Sequence, residues 1–125
     1  MMLGELVAMP LIKVQTSASA PDKAVADSLL KDLSACLSKN LGKSESYIMT
    51  AFEPDATMTF AGTNDPACYV EIKSVGSMSS SQTKSMSEAV CQKISQALNI
   101  DQNRIYIEFA NAKGAMWGWN GRTFG

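Results

Sequence analysis

The strongest constraint in this chain is a plan that occurs twice: an alternating apolar segment, a loop, an amphipathic helical segment, a short polar linker and a tyrosine-bearing extended segment. In the first half, Leu11–Thr16 puts Ile12 and Val14 on one side at every second residue, the period of a half-buried strand. Pro21-Asp22 then opens a helix, since proline fits a first turn and an acidic residue suits the positive end of the helix dipole; Gly42 is a C-terminal stop. Between them Val25, Leu29, Leu30, Leu33, Cys36, Leu37 and Leu41 recur at steps of three and four, with Asp27, Lys31, Asp32, Ser38 and Lys39 opposite. Tyr47–Glu53 and Met58–Phe60 read as extended pieces parted by the turn material Pro54-Asp55, and Gly62–Pro66 reads as a polar loop.

The second half follows the same plan. In Cys68–Val75, Cys68, Val70 and Ile72 alternate with Tyr69, Glu71 and Lys73, and Gly76 closes the strand. Ser77–Ser81 precedes an apolar-periodic run of Met86, Ala89, Val90, Ile94, Ala97 and Leu98, so it reads as a helix-cap region. Arg104–Phe109 is a strand with Ile105, Ile107 and Phe109 on one side and Tyr106 and Glu108 on the other. A doubled β-α-β of this kind predicts an α+β two-layer sandwich, with a four-stranded mixed sheet and both helices on one face. The opposite face would keep Lys13, Glu71, Lys73, Tyr106 and Glu108, neither a full core nor an ordinary surface, so partner subunits are expected to cover it.

A length of 125 residues fits one compact domain. Eleven basic and twelve acidic residues are scattered, giving a net charge of −1, so no basic stripe marks a nucleic-acid or anionic-membrane partner. Histidine is absent, which removes Ser-His-Asp and Cys-His nucleophile systems and zinc sites that need imidazole; no metal or organic cofactor is implied. Cys36, Cys68 and Cys91 are too far apart for a C-x-x-C pair and read as core thiols. The first eight residues lack Lys and Arg and are too short for a signal peptide, and no apolar run reaches the roughly 18–20 residues of a membrane span. A cytoplasmic location, or export without a signal peptide, is the expectation.

Five of the nine aromatic residues, Tyr106, Phe109, Trp117, Trp119 and Phe124, fall in the last twenty positions, so this segment either closes a core or interface or lines a pocket.

Several motifs in order carry a resemblance over Pro10–Gly125: Met9-Pro10-Leu11-Ile12, Leu41-Gly42-Lys43 followed by Tyr47-Ile48-Met49, Met58–Gly62, Asp65-Pro66, Lys73-Ser74-Val75-Gly76, Asn103–Ile107 and Trp117–Phe124. In these the chain resembles the macrophage migration inhibitory factor family of the tautomerase superfamily, which includes D-dopachrome tautomerase. The resemblance implies a homotrimeric keto-enol tautomerase acting on small aromatic keto acids of the phenylpyruvate or dopachrome type. Its base would be Pro10, freed as an N-terminal proline when an initiator Met9 is removed, so the resemblance implies a single domain, 10–125, and a leader, 1–9, absent from the mature chain. Lys43 matches a lysine that holds the substrate carboxylate, and Val75 matches a residue whose backbone N–H binds the same anion. Tyr106 would pack on the substrate ring from the adjacent subunit, with Tyr47, Trp117, Trp119 and Phe124 as walls.

Four departures bear on specificity. Ala67-Cys68-Tyr69-Val70 stands where animal cytokine members have a C-x-x-C pair, and Ser44 stands where a proline commonly follows the lysine. Trp117 replaces a smaller aliphatic group. Glu108 occupies the place of a neutral substrate-binding amide, where it can repel an anionic substrate, pair with Lys13 or Lys73, or raise the proline pKa. With the leader retained, Pro10 is a tertiary amide without a basic lone pair; the alternative reading is then a cytokine-like protein-binding or scaffold trimer with a silent site.

Overall fold

The period-2 segments form the sheet that this pattern requires. The computed structural model describes residues 9–125, so of the expected leader only Met9 lies among the described residues. In β1 (Leu11–Thr16) Ile12, Val14 and Thr16 are fully buried and the residues between them half-buried. β1 is flanked on both sides: β2 (Met49–Glu53) pairs with it in parallel and β3 (Cys68–Val75) in antiparallel. β4 (Ile105–Ala112) adds to β3 in parallel, giving the order β2-β1-β3-β4. Each parallel pair is joined through a helix, as a parallel connection needs.

Both helices pack on the same sheet face. α1 (Lys23–Leu41) buries Leu29, Leu33, Cys36 and Leu37; α2 (Ser80–Leu98) buries Met86, Val90 and Ile94. These meet Ile12, Val14, Val70 and Ile72 in one core. A capping box starts α2: the Gln82 backbone N–H donates to the Ser79 hydroxyl at 3.1 Å and the Ser79 N–H to the Gln82 amide oxygen at 2.8 Å. Gly42 ends α1 with φ of 66°, a left-handed cap conformation.

Four local expectations need correction. Val25 remains 38% exposed and lies outside the core cluster that Leu29, Leu30, Leu33, Cys36, Leu37 and Leu41 join. Tyr47 is not in a strand: the Ser44 hydroxyl accepts from the Ser46 N–H and winds Glu45–Tyr47 into a 3-10 turn, so β2 begins at Met49. Met58–Phe60 forms no strand, since Phe60 pairs only with Thr63 across Ala61-Gly62, both with positive φ. Arg104 likewise ends a 3-10 turn, and β4 runs further than expected, to Ala112.

The other sheet face carries a polar network in place of a second layer. Its middle row is Ala51, Lys13, Glu71 and Glu108, aligned across all four strands. The Lys13 ammonium lies 3.9 Å from Glu53 and 4.0 Å from Glu71, and that of Lys73 lies 3.4 Å from Glu71. Burial opposes ionisation of Glu71, but the Tyr69 hydrogen bond and the two ammonium groups outweigh it and hold the carboxyl below its ordinary range. Glu108 pairs with neither lysine. Instead it accepts from the Tyr69 hydroxyl at 2.6 Å, and that bond, with burial second, pushes the Tyr69 pKa up. Tyr106 and Met49 on this face are 65% and 66% exposed.

Two outcomes follow from these contacts. Ile72→Ala, at a fully buried position between both helices, should cost about 2–5 kcal/mol in urea unfolding, whereas Val25→Ala should stay within about 0.5 kcal/mol. Because the folded-state pKa of Glu71 is depressed, its ionisation stabilises the fold above the ordinary carboxylate pKa, and that contribution is lost as pH falls through the lowered value. Glu71→Gln should therefore flatten the acid limb of the unfolding midpoint against pH without moving the neutral plateau upward.

Candidate active site

Pro10 sits where the chain enters the sheet. Its ring is fully buried, and its carbonyl accepts from the Met49 N–H at 3.0 Å, the first bond tying β1 to β2. In front of it opens a cavity of about 390 Å³ whose walls include Met9, Tyr47, Met49, Trp117 and Trp119. Two segments distant in sequence therefore converge on Pro10. Tyr47 arrives on the Ser44-capped turn, and Trp117 follows a second 3-10 turn, Gly114–Met116, whose Trp117 N–H donates to the Gly114 carbonyl at 3.2 Å.

Trp119 is carried by a hairpin of β5 (Gly118–Trp119) and β6 (Arg122–Thr123). Asn120 and Gly121 connect them with φ of 53° and 78°, the two positive values of a type I′ turn. The Trp119 ring stacks on Phe124 at 6.1 Å and 9°, meets Tyr47 edge-on at 6.4 Å, and has the Arg122 guanidinium 5.7 Å from its centroid. The hairpin, Met9, Met49 and Arg122 are the parts of this site that sequence reasoning missed; the Asn-Gly pair was the available signal for the hairpin.

The remaining expected residues lie elsewhere in the chain. Val75 and Phe124 line a separate cavity of about 500 Å³ together with Lys113. Lys43 is half-buried in the connection after α1, its N–H donating to the Ser38 carbonyl at 3.2 Å and its own carbonyl accepting from the Ser38 hydroxyl; it does not line the Pro10 cavity. Tyr106 and Glu108 stand on β4, two strands away from β1.

Among the described residues that wall the cavity there is no carboxylate, ammonium group or thiol; besides Pro10, the Ser46 and Tyr47 hydroxyls are the groups there that can exchange a proton. The three cysteines lie apart from it, and burial raises the pKa of each, that of Cys68 to about 12, so they are inert thiols at neutral pH. What the cavity offers is an aromatic box around one ring nitrogen. In the 125-residue chain that nitrogen is an amide, and once Met9 is removed it is a secondary amine.

Gly114 holds the far wall in place. A Cβ there would come within 2.5 Å of the Phe124 carbonyl oxygen, while the Phe124 N–H donates to the Gly114 carbonyl at 3.0 Å. Gly114→Ala should therefore displace the C-terminal segment, cost about 1–3 kcal/mol, and change the near-UV circular dichroism of the Trp119–Phe124 stack.

The family model described as macrophage migration inhibitory factor (MIF) matches residues 9–125, so the match begins at the residue before Pro10. Macrophage migration inhibitory factor of Mus musculus is 35% identical over 116 residues, covering 93% of this chain and 99% of the relative. The homolog from Brugia malayi is 32% identical, covering 94% of this chain and 100% of its own length. Among solved structures, the homologue from Prochlorococcus marinus superposes with a TM-score of 0.85 at 48% identity, covering 92% of this chain and 99% of that one. The two-helix, four-strand sandwich is thus the α+β tautomerase fold, and the chain belongs to the macrophage migration inhibitory factor family.

Proposed function

We propose that this protein is a keto-enol tautomerase for aromatic α-keto acids of the phenylpyruvate type or for dopachrome-like substrates, with Pro10 as its base. The observation that carries this reading is the position of Pro10: fully buried, anchored through its carbonyl to Met49, and lining a cavity that Tyr47, Trp117 and Trp119 also wall. The start of the family match at Met9 supports Met9 as the initiator and Pro10 as the mature first residue, with residues 1–8 outside the functional chain.

An α-amino group titrates at about 7.7–8.0, and apolar walls disfavour its charged form, so a free Pro10 would be neutral near pH 7. The neutral nitrogen takes a proton from the carbon beside the ketone, the C–H electron pair enters the new C=C bond, and the carbonyl becomes an enolate oxygen. The same proton is then returned to that oxygen, giving the enol with no cofactor consumed. Lys43 would hold the substrate carboxylate together with the Val75 N–H.

The same reading takes the protein to be a homotrimer. The exposed Tyr106 and the Tyr69-bound Glu108 lie on the sheet face away from the helices, so they would complete a Pro10 cavity belonging to a neighbouring copy. One observation favours the second reading. In the 125-residue chain Met9 is itself 7% exposed against the cavity and leaves Pro10 an amide, which suits a protein-binding or scaffold trimer with a silent site.

Phenylpyruvate turnover by a chain beginning at Pro10 and by the 125-residue chain separates these readings. The shorter chain should be active, Pro10→Gly should lower kcat/KM by about 100-fold or more, and kcat/KM should rise with pH through one ionisation below about 7.7. Equal turnover by the 125-residue chain, or by Pro10→Gly, would remove Pro10 as the base.

A further inference from the structure

Phe60 is fixed in place without belonging to the core. It is absent from the cluster of apolar residues packed between the helices and the sheet, yet both its backbone and its ring are held. Its N–H donates to the Thr63 carbonyl at 2.9 Å and its carbonyl accepts from the Thr63 N–H at 3.1 Å, across a turn in which Ala61 and Gly62 have φ of 53° and 77°. The ring lies between Arg104 and Tyr106. The Arg104 guanidinium carbon is 5.2 Å from the Phe60 centroid, and the Phe60 and Tyr106 rings meet at 4.9 Å and 69°.

Arg104 is itself doubly anchored. Its Nε donates to the Pro66 carbonyl at 2.9 Å and its Nη2 to the Asp65 carbonyl at 3.0 Å, so one planar fork clamps the 60–66 loop to the start of β4. The stack Arg104–Phe60–Tyr106 thus ends on a ring that is 65% exposed. An exposed tyrosine without such a contact samples several side-chain rotamers, and an edge-to-face partner selects one of them. Among the described aromatic pairs, Tyr106 makes only this one.

We infer that Phe60, held by the Arg104 fork, is a positioning residue that presents Tyr106 to the aromatic ring of a substrate in the neighbouring copy's Pro10 cavity. The inference rests on the tautomerase reading above. It assigns the 60–66 loop, which supplies no wall of the Pro10 cavity in its own chain, to ring recognition rather than to proton transfer.

The test compares Phe60→Leu, Phe60→Tyr and Arg104→Lys in the natively processed protein. Phenylpyruvate and an aliphatic α-keto acid serve as substrates, and assembly is followed by sedimentation. Phe60→Leu should raise KM for phenylpyruvate by about three- to tenfold, with kcat within about twofold and the aliphatic substrate unaffected. Phe60→Tyr should restore the wild-type value, and Arg104→Lys should fall between them. Unchanged KM in Phe60→Leu overturns the inference, as does an equal loss on both substrates or dissociation of the oligomer, which marks a purely structural contact. Binding of unreactive 3-phenylpropionate, followed by Trp117 and Trp119 fluorescence, separates this inference from the tautomerase reading. A protein that turns over nothing but binds this acid, more weakly in Phe60→Leu, retains ring positioning and loses the proposed activity; equal binding by wild type and variant rejects the positioning.

Discussion

Strand β1 is the element on which the rest depends. It lies inside the sheet, hydrogen-bonded to β2 on one side and β3 on the other, with Ile12, Val14 and Thr16 fully buried under the helices. A strand held on three sides has one register, because a slip of one residue would turn Ile12 and Val14 outward and bring Lys13 into the core. That register places Pro10 immediately before the first paired residue, with its carbonyl bound to Met49. The candidate site is thus anchored by the core, while its walls come from loops: the Ser44-capped turn, the Gly114 turn and the Asn120-Gly121 hairpin. Rigid placement of one atom with adaptable walls is the division of labour seen when loops carry chemistry on a packed scaffold.

The sheet face away from the helices shows a different solution to burial. Lys13 and Lys73 offset Glu71, and Tyr69 satisfies Glu108. The Glu108 carboxyl is met by a neutral hydroxyl rather than by a cation, on the same sheet face as Tyr106.

The fold was legible because its two layers are written in periodicities of 2 and 3.6 that are broken by Gly42, Gly76 and the Ser79 capping box. Errors gathered where local side-chain hydrogen bonding or a tight turn displaced the apolar pattern. The Ser44 cap took Tyr47 out of β2, and the Ala61-Gly62 turn left Phe60 without a strand partner. The candidate site was legible only in part. Pro10, Tyr47, Trp117 and Trp119 converge on one cavity within a single chain, each held on a local turn, hairpin or strand end. Tyr106 and Glu108 cannot converge with them in a single copy, since β3 stands between β4 and β1, and no periodicity along one chain encodes which surface a second copy will meet.

The central claim is chemical: Pro10 must be an amine rather than an amide. The intact mass and N-terminal sequence of the protein produced from its native gene test this most directly. A chain that begins at Pro10 is the expected result, and a homogeneous product that retains Met9 or residues upstream of it would contradict the account.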